Sequence, residues 1–133
     1  MAVKMSVAVR NGMLNAIETA VGISAVLKIR TGAPPTNIAD ADSGSVLATL
    51  NLPSDWLGAA AAGVAAKAGT WQDASADAAG TAGHFRIYAT DGTTQHIQGV
   101  VAASGADLNV DNVVFAAGQS FTITSFSLTA GNA

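Results

Sequence analysis

The spacing of the apolar residues changes from a helical period to a strand period at Gly22, and this change limits the fold class more than any other feature. Before Gly22 the pattern predicts one helix over residues 6–21, which Ser6 or Asn11 could cap and which Gly22 is placed to end. Four apolar side chains share one face of that helix: Met13, Leu14, Ile17 and Val21. This stripe has two possible contacts, which are the chain's own sheet and another subunit.

After the helix, the chain reads as about seven short strands separated by glycine- and aspartate-rich turns. In the first strand, residues 24–31, we predict that Leu27 and Ile29 point inward and that Lys28 and Arg30 point outward. The loop that follows begins with two prolines, which cannot donate to a strand ladder. The other strands are predicted at residues 45–52, near Trp71, and at residues 83–89, 94–102, 108–115 and 120–129.

Two pairs of these strands are predicted to form hairpins. The Asp91-Gly92 dipeptide favours a tight turn between residues 83–89 and 94–102. A second turn, at Ala117-Gly118, joins the last two predicted strands. In the last strand the inward positions slip by one residue, and we therefore expect a bulge near Ser125 that keeps four side chains buried. These are Phe121, Ile123, Phe126 and Leu128.

Residues 57–69 are rich in alanine, but three glycines interrupt the run and no amphipathic stripe is present. We predict that this segment is mobile, or extended and ordered by contact with a partner. The elements together predict a single, mainly β domain over residues 1–133. Its expected fold is an antiparallel β-sandwich or jelly-roll-like arrangement of about seven strands with one N-terminal helix, in which residues 1–22 form a helical arm.

Charge is scarce along the whole chain. Only 11% of the residues are charged, whereas ordinary soluble domains carry about 25%. A surface of this kind is easily buried against neighbouring proteins because little charge has to lose its water. The alternative is a monomer whose exterior is rich in serine and threonine.

Several classes of partner are disfavoured by the same composition. Six scattered basic residues and a net charge of −3 argue against nucleic acid. No apolar run approaches the ~20 residues that a membrane span needs, and we see no signal peptide at the start. The absence of cysteine suits synthesis in a reducing cytoplasm.

The two histidines, His84 and His96, lie on the two arms of the first predicted hairpin. A register that places Phe85, Ile87 and Ile97 on one apolar face puts both histidines on the opposite face. We predict that this opposite face is solvated and polar rather than a zinc site, because a third ligand is lacking. Its other members are Arg86, Tyr88 and Gln98.

No other catalytic or metal-binding pattern is found. The aspartates occur among glycine, serine and threonine, where their ordinary role is to form turns, and none has calcium-loop spacing. No nucleophile elbow or phosphate-binding glycine loop occurs. Trp56 and Trp71 are predicted in the core, with a sugar-stacking platform as the alternative. We therefore predict no enzymatic activity, no metal or cofactor and no small-molecule substrate.

Two stretches, residues 25–48 and 80–121, resemble a family of small virion-associated structural proteins of tailed bacteriophages and prophages. The first contains the run Ala-Val-Leu-Lys-Ile-Arg-Thr-Gly-Ala-Pro-Pro and then Ala-Asp-Ala-Asp-Ser-Gly-Ser-Val-Leu-Ala. The second contains Gly-Thr-Ala-Gly-His-Phe-Arg-Ile-Tyr, the Asp91-Gly92 turn, and Asp-Leu-Asn-Val-Asp-Asn leading to Ala-Gly-Gln-Ser-Phe. These motifs are strand and turn residues, so they indicate a family and not a mechanism.

The resemblance implies a protein of the virion, made in the cytoplasm of the bacterial host. The leading expectation is a capsid cement or decoration protein, a homo-oligomer whose partner is the major capsid protein. The helical stripe (Met13, Leu14, Ile17 and Val21) is its predicted interface. The alternatives are a tail or head–tail connector component and, from the two tryptophans, a carbohydrate-binding module of a receptor-binding fibre.

Overall fold

The computed structural model describes residues 3–133, so the first two residues of the predicted domain and arm lie outside the described residues. Strands make up 39% of the chain and helix 11%, which confirms the mainly β class. The helix α1 spans Val7–Val21. Among residues 3–133, no helix is long and apolar enough to cross a membrane.

The ends of α1 have the predicted caps. The Ser6 hydroxyl accepts a hydrogen bond from the Val9 backbone N–H at 3.3 Å, so it satisfies one of the free donors of the first turn. At the other end the Gly22 N–H donates to the Glu18 carbonyl at 2.8 Å, and Gly22 has a φ of +100°, which favours glycine. The Met5 N–H donates to the Asn132 carbonyl at 2.7 Å, so the residues just before the Ser6 cap lie beside the last residues of the described chain.

Nine strands follow the helix, two more than the sequence predicted. One additional strand lies at Val64–Ala66, and the strand predicted at residues 108–115 is divided into two. The order along the sheet is β2-β1-β5-β6-β7-β9-β3, with β4 paired to β9 and β8 paired to β5. The strands are β1 (Val26–Thr31), β2 (Val46–Asn51), β3 (Val64–Ala66), β4 (Gln72–Asp73), β5 (Gly80–Tyr88), β6 (Gln95–Ala102), β7 (Leu108–Val110), β8 (Val114–Phe115) and β9 (Phe121–Thr129).

The pairing corrects the prediction of a purely antiparallel sheet, because β6 and β7 run parallel. The first predicted hairpin, β5 with β6, is present and places Ile87 opposite Ile97. The second is present only in part. Its β7 half pairs with β9, but Val114–Phe115 leaves to pair with β5. Asn112 causes the departure, because its side-chain oxygen accepts from the Val114 N–H at 3.0 Å and turns the chain.

The sheet curls until its two halves face each other in a sandwich-like arrangement. In a flat sheet β5 and β9 would be three strand spacings apart, about 14 Å. Yet the rings of Phe85 on β5 and Phe126 on β9 meet edge to face with 5.7 Å between centroids. Trp71 lies 5.4 Å from Phe126 and 6.2 Å from Trp56 by the same measure. These aromatic rings fill the space that the curl encloses.

The predicted bulge in β9 is present beside Ser125. Asn109 pairs with Ser125 and Val110 pairs with Ile123, so Thr124 has no partner in the ladder. The extra residue rotates the strand and returns Phe126 to the inner face. Phe121, Ile123 and Phe126 are buried as expected, whereas Leu128 is only half-buried.

Residues 57–69 are extended, and contacts with the rest of the chain hold them in place. Leu57 bridges to Lys67, and β3 pairs with β9. Two asparagines of α1 hold this segment from above. The Asn15 side chain accepts from the Ala60 N–H, and the Asn11 side chain accepts from the Gly63 N–H, each at 2.9 Å.

Candidate functional site

The predicted interface stripe is divided by the way in which α1 docks. Leu14 is 4% exposed and packs with Ala65 and Ala130, and Val21 is buried in the main core. Ile17 is half-buried between the same two clusters, and Met13 is 51% exposed. Three of the four residues therefore contact the chain's own sheet, and the interface prediction is corrected to Met13 alone.

The geometry of a helix explains this division. The i, i+3, i+7 spacing places Leu14, Ile17 and Val21 along one line of the helix surface, which we call the seam. Met13 lies about 100° round the helix axis from Leu14. The sequence pattern made the stripe too wide by one residue. Because the seam belongs to the core, deletion of the helix would remove core side chains as well as the surface.

The outer face of α1 carries no charge. The helix has two charged residues, Arg10 and Glu18, and both are turned toward the body of the protein. The Arg10 guanidinium donates to the Ala130 carbonyl at 3.3 Å, and the Glu18 carboxylate accepts from the Trp56 N–H at 2.9 Å. The exposed residues are small, apolar or neutral: Val7, Ala8, Val9, Gly12, Met13, Asn15, Ala16, Thr19 and Ala20.

A groove of about 280 Å³ runs beside this face, between α1 and residues 55–59. Its apolar floor is formed by Leu14 and Leu57, and Glu18 and Asp55 are the charged residues in its wall. Asn15 lies both in the groove and on the outer face of the helix. The groove and the uncharged face are therefore adjacent parts of one surface.

The face of the sheet that was predicted to be solvated and polar is instead covered. The loop between β1 and β2, residues 32–45, crosses over β1, β5 and β6, and we call it the strap. Beneath it His84, Arg86 and Tyr88 are fully buried and Gln98 is half-buried, while His96 lies outside and is exposed. Arg30, predicted to point outward, does lie on this face but is buried as well.

One carboxylate holds the centre of this covered face. The Asp42 Oδ1 atom accepts from Arg86 Nη1 at 2.9 Å and from the Tyr88 hydroxyl at 2.7 Å. Its Oδ2 atom accepts from Arg30 Nη2 at 2.8 Å. Two guanidinium groups therefore share one carboxylate, and the Asp42 side chain keeps 36% of its surface exposed.

The remaining donors of Arg86 are all used. Its Nη1 and Nη2 atoms donate to the carbonyls of Asp40 and Asn37, and Nε and Nη2 both donate to the Gln98 side chain. Carbonyl dipoles of the strap thus take the place of a second counter-ion. A buried guanidinium with every donor paired is stable in place, but it becomes costly if its partners leave.

The cluster shifts the pKa values of two of its members. Burial raises the pKa of Asp42, but the hydrogen bonds from Tyr88 and Arg86 and the charge of Arg30 outweigh burial, and the net shift is downward. Burial raises the pKa of Tyr88, and its hydrogen bond to the Asp42 carboxylate raises it further. Both shifts favour the state in which the phenol donates to an ionised carboxylate.

Stability at acid pH should follow from the lowered pKa of Asp42. A carboxyl whose pKa is lower in the folded state stabilises the fold above its unfolded value of about 3.9. This contribution is lost as the pH falls through the folded value. We expect the free energy of unfolding to fall steeply below about pH 4 in the native protein, and less steeply in Asp42→Asn. Urea unfolding at a series of pH values measures both slopes.

The control for that titration is Asp91, whose pKa is also lowered, by hydrogen bonds from Thr94 and Thr93. Asp91 lies in an exposed turn and has no cation among its hydrogen-bond partners. The same series of pH values, measured with Asp91→Asn, separates the contributions of the two carboxyls to the loss of stability in acid. Equal acid slopes for the native protein and Asp42→Asn would contradict the assignment to Asp42.

The other candidate residues have structural positions. His84 Nδ1 lies 2.9 Å from the Gly32 carbonyl, and since a carbonyl only accepts, this nitrogen carries the proton. Within residues 3–133 no group of three or more His, Asp or Glu side chains could hold a metal ion. Some aspartates form turns, as predicted: Asp91 accepts from the backbone of Thr93 and Thr94, and Asp73 accepts from the Ser75 N–H. Asp42 does not, because it binds the two guanidinium groups.

Both tryptophans are core residues and offer no surface on which a sugar could stack. Trp56 and Trp71 are at most 1% exposed, and each indole N–H donates to a backbone carbonyl at 3.0 Å, Gly22 for the first and Ala68 for the second. The observation on which a carbohydrate-binding role depended is therefore absent from the described surface.

Comparisons of this chain with protein-family models, with characterised proteins and with solved structures found no match.

Proposed function

We propose that this protein is a non-catalytic structural component of a tailed-phage virion that binds the major capsid lattice as a cement or decoration protein. The resemblance over residues 25–48 and 80–121 supplies the class of particle. The uncharged outer face of α1 is the observation that carries the binding role. The fold contributes rigidity, because α1 is fixed to β3 and β9 by core packing and by the Arg10 hydrogen bond.

An uncharged helix face that carries half-exposed apolar side chains is suited to an interface. Val9 and Met13 are 50% and 51% exposed, and the alanines and glycine beside them allow a partner's backbone to approach closely. Docking on this face removes apolar area from water and requires no charge to be desolvated. A patch of a few half-exposed side chains supports only a modest affinity for one partner subunit.

Modest affinity is sufficient for a protein that binds a repeating lattice. When one contact has formed, each later contact between linked subunits is effectively intramolecular, so that weak contacts combine into firm attachment. The scarcity of charge on the rest of the protein keeps neighbouring copies from repelling each other. This reasoning favours a protein present in a copy number comparable to that of the major capsid protein.

The surface variant Val9→Lys tests the binding face. It places a charge in the middle of the outer face of α1, and the charge must lose its water when the face is buried. The test uses phage heads that lack the native protein. We expect the affinity of the variant for these heads to be at least about tenfold lower than that of the native protein, as measured by co-sedimentation. Its free energy of unfolding should change by no more than about 0.5 kcal/mol because the position is exposed.

Val114→Lys is the matched control, since Val114 is 58% exposed and lies on β8 instead of α1. It should bind heads like the native protein. Equal binding by Val9→Lys and the native protein would show that α1 is not part of the interface.

In particles that lack the protein altogether, we expect heads that assemble but lose DNA more readily on heating. If these particles instead have heads as stable as those of the native virion but lack tails, the protein is a connector component and not a cement protein.

A further inference from the structure

The geometry beneath the strap is that of a carboxylate receptor. Three donors from two adjacent strands, Arg30 on β1 and Arg86 and Tyr88 on β5, converge on the two oxygens of Asp42 at 2.7 to 2.9 Å. Paired guanidinium groups and a phenol are the donors that bind a carboxylate most firmly in proteins. Arg86 is also held from within the sheet, because its Nε and Nη2 atoms donate to the Gln98 side chain on β6 at 3.0 Å and 2.8 Å.

This receptor is not saturated by its own ligand. Arg30 is buried, yet its Nε atom has no hydrogen-bond partner among residues 3–133, and its Nη1 atom reaches the Gly44 carbonyl only at 3.4 Å. Two positive charges also face a single carboxylate. A carboxylate that is free to move could use the Arg30 fork more fully than Asp42, whose position is fixed by the strap.

The strap that carries Asp42 has no apolar anchor. Every residue from 32 to 45 is exposed or half-exposed, Ile38 included. The strap is attached by hydrogen bonds, among them His84 Nδ1 to the Gly32 carbonyl and Gln98 Nε2 to the Pro35 carbonyl. The core lies on the opposite face of these strands, where Ile29, Phe85 and Ile87 are buried. Opening the strap therefore exposes Tyr88 and the polar side chains beneath it, but no member of the main apolar cluster.

We propose that residues 32–45 form a releasable strap whose Asp42 side chain is the built-in ligand of a carboxylate-binding site made by Arg30, Arg86 and Tyr88. The strap opens and closes while the sheet beneath it stays folded. When it is open, the site accepts a carboxylate group from another molecule. This inference does not depend on the proposed role in the virion.

Thiol labelling tests whether the strap opens by itself, because the chain has no cysteine of its own. In His84→Cys the only thiol lies under the strap, and in the control Ala25→Cys the only thiol lies in the core. Each variant is labelled with an aromatic disulfide under native conditions, and each rate is divided by its rate in denaturant. We expect the normalised rate for His84→Cys to be at least about a hundredfold higher, since local opening requires less free energy than unfolding.

Equal normalised rates, after correction for each variant's own stability, would show that the thiol is reached only by global unfolding and would overturn the strap. Because His84→Cys also removes one attachment of the strap, limited proteolysis of the native protein within residues 32–45 is measured as well. Cleavage there that is no faster than global unfolding would likewise overturn the strap. Adding Asp42→Asn to the cysteine variant should raise the labelling rate, because the bonds to Asp42 are broken when the strap opens. Adding Phe126→Ala instead should lower the global stability but leave the rate of labelling through local opening unchanged, because Phe126 stays buried in the core when the strap opens. An unchanged labelling rate in the Asp42→Asn variant would show that Asp42 is not the latch.

Acetate tests the receptor. In Asp42→Ala the site loses its built-in ligand, and sodium acetate should raise the Tm above that in equal sodium chloride, by an amount that grows with the logarithm of concentration. The native protein, whose site is occupied, should show no acetate-specific rise. Asp42→Ser replaces Asp42→Ala if the latter does not fold. A Tm that responds equally to acetate and chloride would overturn the carboxylate site.

Discussion

Replacing Phe126 by alanine is expected to lower the free energy of unfolding by about 3–5 kcal/mol, the range for a fully packed aromatic ring. The ring is 4% exposed and touches Trp71 and Phe85, so it joins the two halves of the curled sheet. Its removal leaves a cavity that these rings cannot fill, because backbone pairing fixes their strands. Equilibrium urea unfolding, monitored by tryptophan fluorescence, measures the loss.

Leu128→Ala is the control on the same strand. Leu128 lies two residues beyond Phe126 but is half-buried, so its truncation should cost clearly less than that of Phe126. A loss below about 1 kcal/mol in Phe126→Ala would contradict the prediction, since it would mean that the sheet can close without this ring. Such a result would also show that the bulge at Thr124, which turns Phe126 inward, does not contribute to core packing.

The second large effect is expected at Asp42, where replacement by asparagine should cost about 2–4 kcal/mol. The substitution keeps the shape of the side chain but removes the negative charge, and the buried guanidinium of Arg86 is then left with dipoles alone. The expected loss of stability is smaller than for a completely buried ion pair, because Asp42 remains about one-third exposed. Denaturant unfolding near neutral pH measures the cost.

The strap provides a matched control for this substitution. Asp40→Asn makes the same chemical change two residues away. Among residues 3–133, however, the Asp40 carboxylate accepts only from the Asn37 N–H in an exposed turn, whereas Arg86 bonds the Asp40 backbone carbonyl. We expect Asp40→Asn to cost no more than about 0.5 kcal/mol. If the two variants lose equal stability, the charge of Asp42 does not contribute to the fold.

The elements that could be predicted from the sequence are those with a local cause. The start of α1 follows from the Ser6 hydroxyl, and the end of the helix follows from Gly22. The bulge near Ser125 follows from the phase slip, because alternation within one strand cannot otherwise place Ile123 and Phe126 on the same face. In each case the residues that decide the outcome lie within a few positions of one another.

The covered face could not be predicted, because alternation shows which side chains share a face and not what lies over it. Arg30, Asp42 and Arg86 come from three separate segments, and only the pairing of β1 with β5 brings them together. One signal was present in the sequence. Two arginines occupied the interiors of strands in a chain with only six basic residues, and a buried counter-ion was the explanation to seek.

The same limit applies to residues 57–69 and to the parallel pairing of β6 with β7. The glycines of the former argued correctly against a helix, but the asparagines of α1 that order it are about fifty positions away in the chain. Local propensity does not contain such contacts. The parallel direction of β7 depends likewise on the path of the turn after β6. The sequence does not show this path or which residues of the two strands pair.

The contacts between α1 and residues near Ala130 have a consequence for the order of folding. Helix α1 precedes all the strands in the chain, yet its docking partners include Ala130, and Met5 bonds to Asn132. A lone helix of fifteen residues is marginal in water, so α1 acquires its fixed position only when Ala65 and the residues after β9 have been synthesised and have folded. A chain that stops before Ala130 therefore cannot hold the outer face of α1 in place.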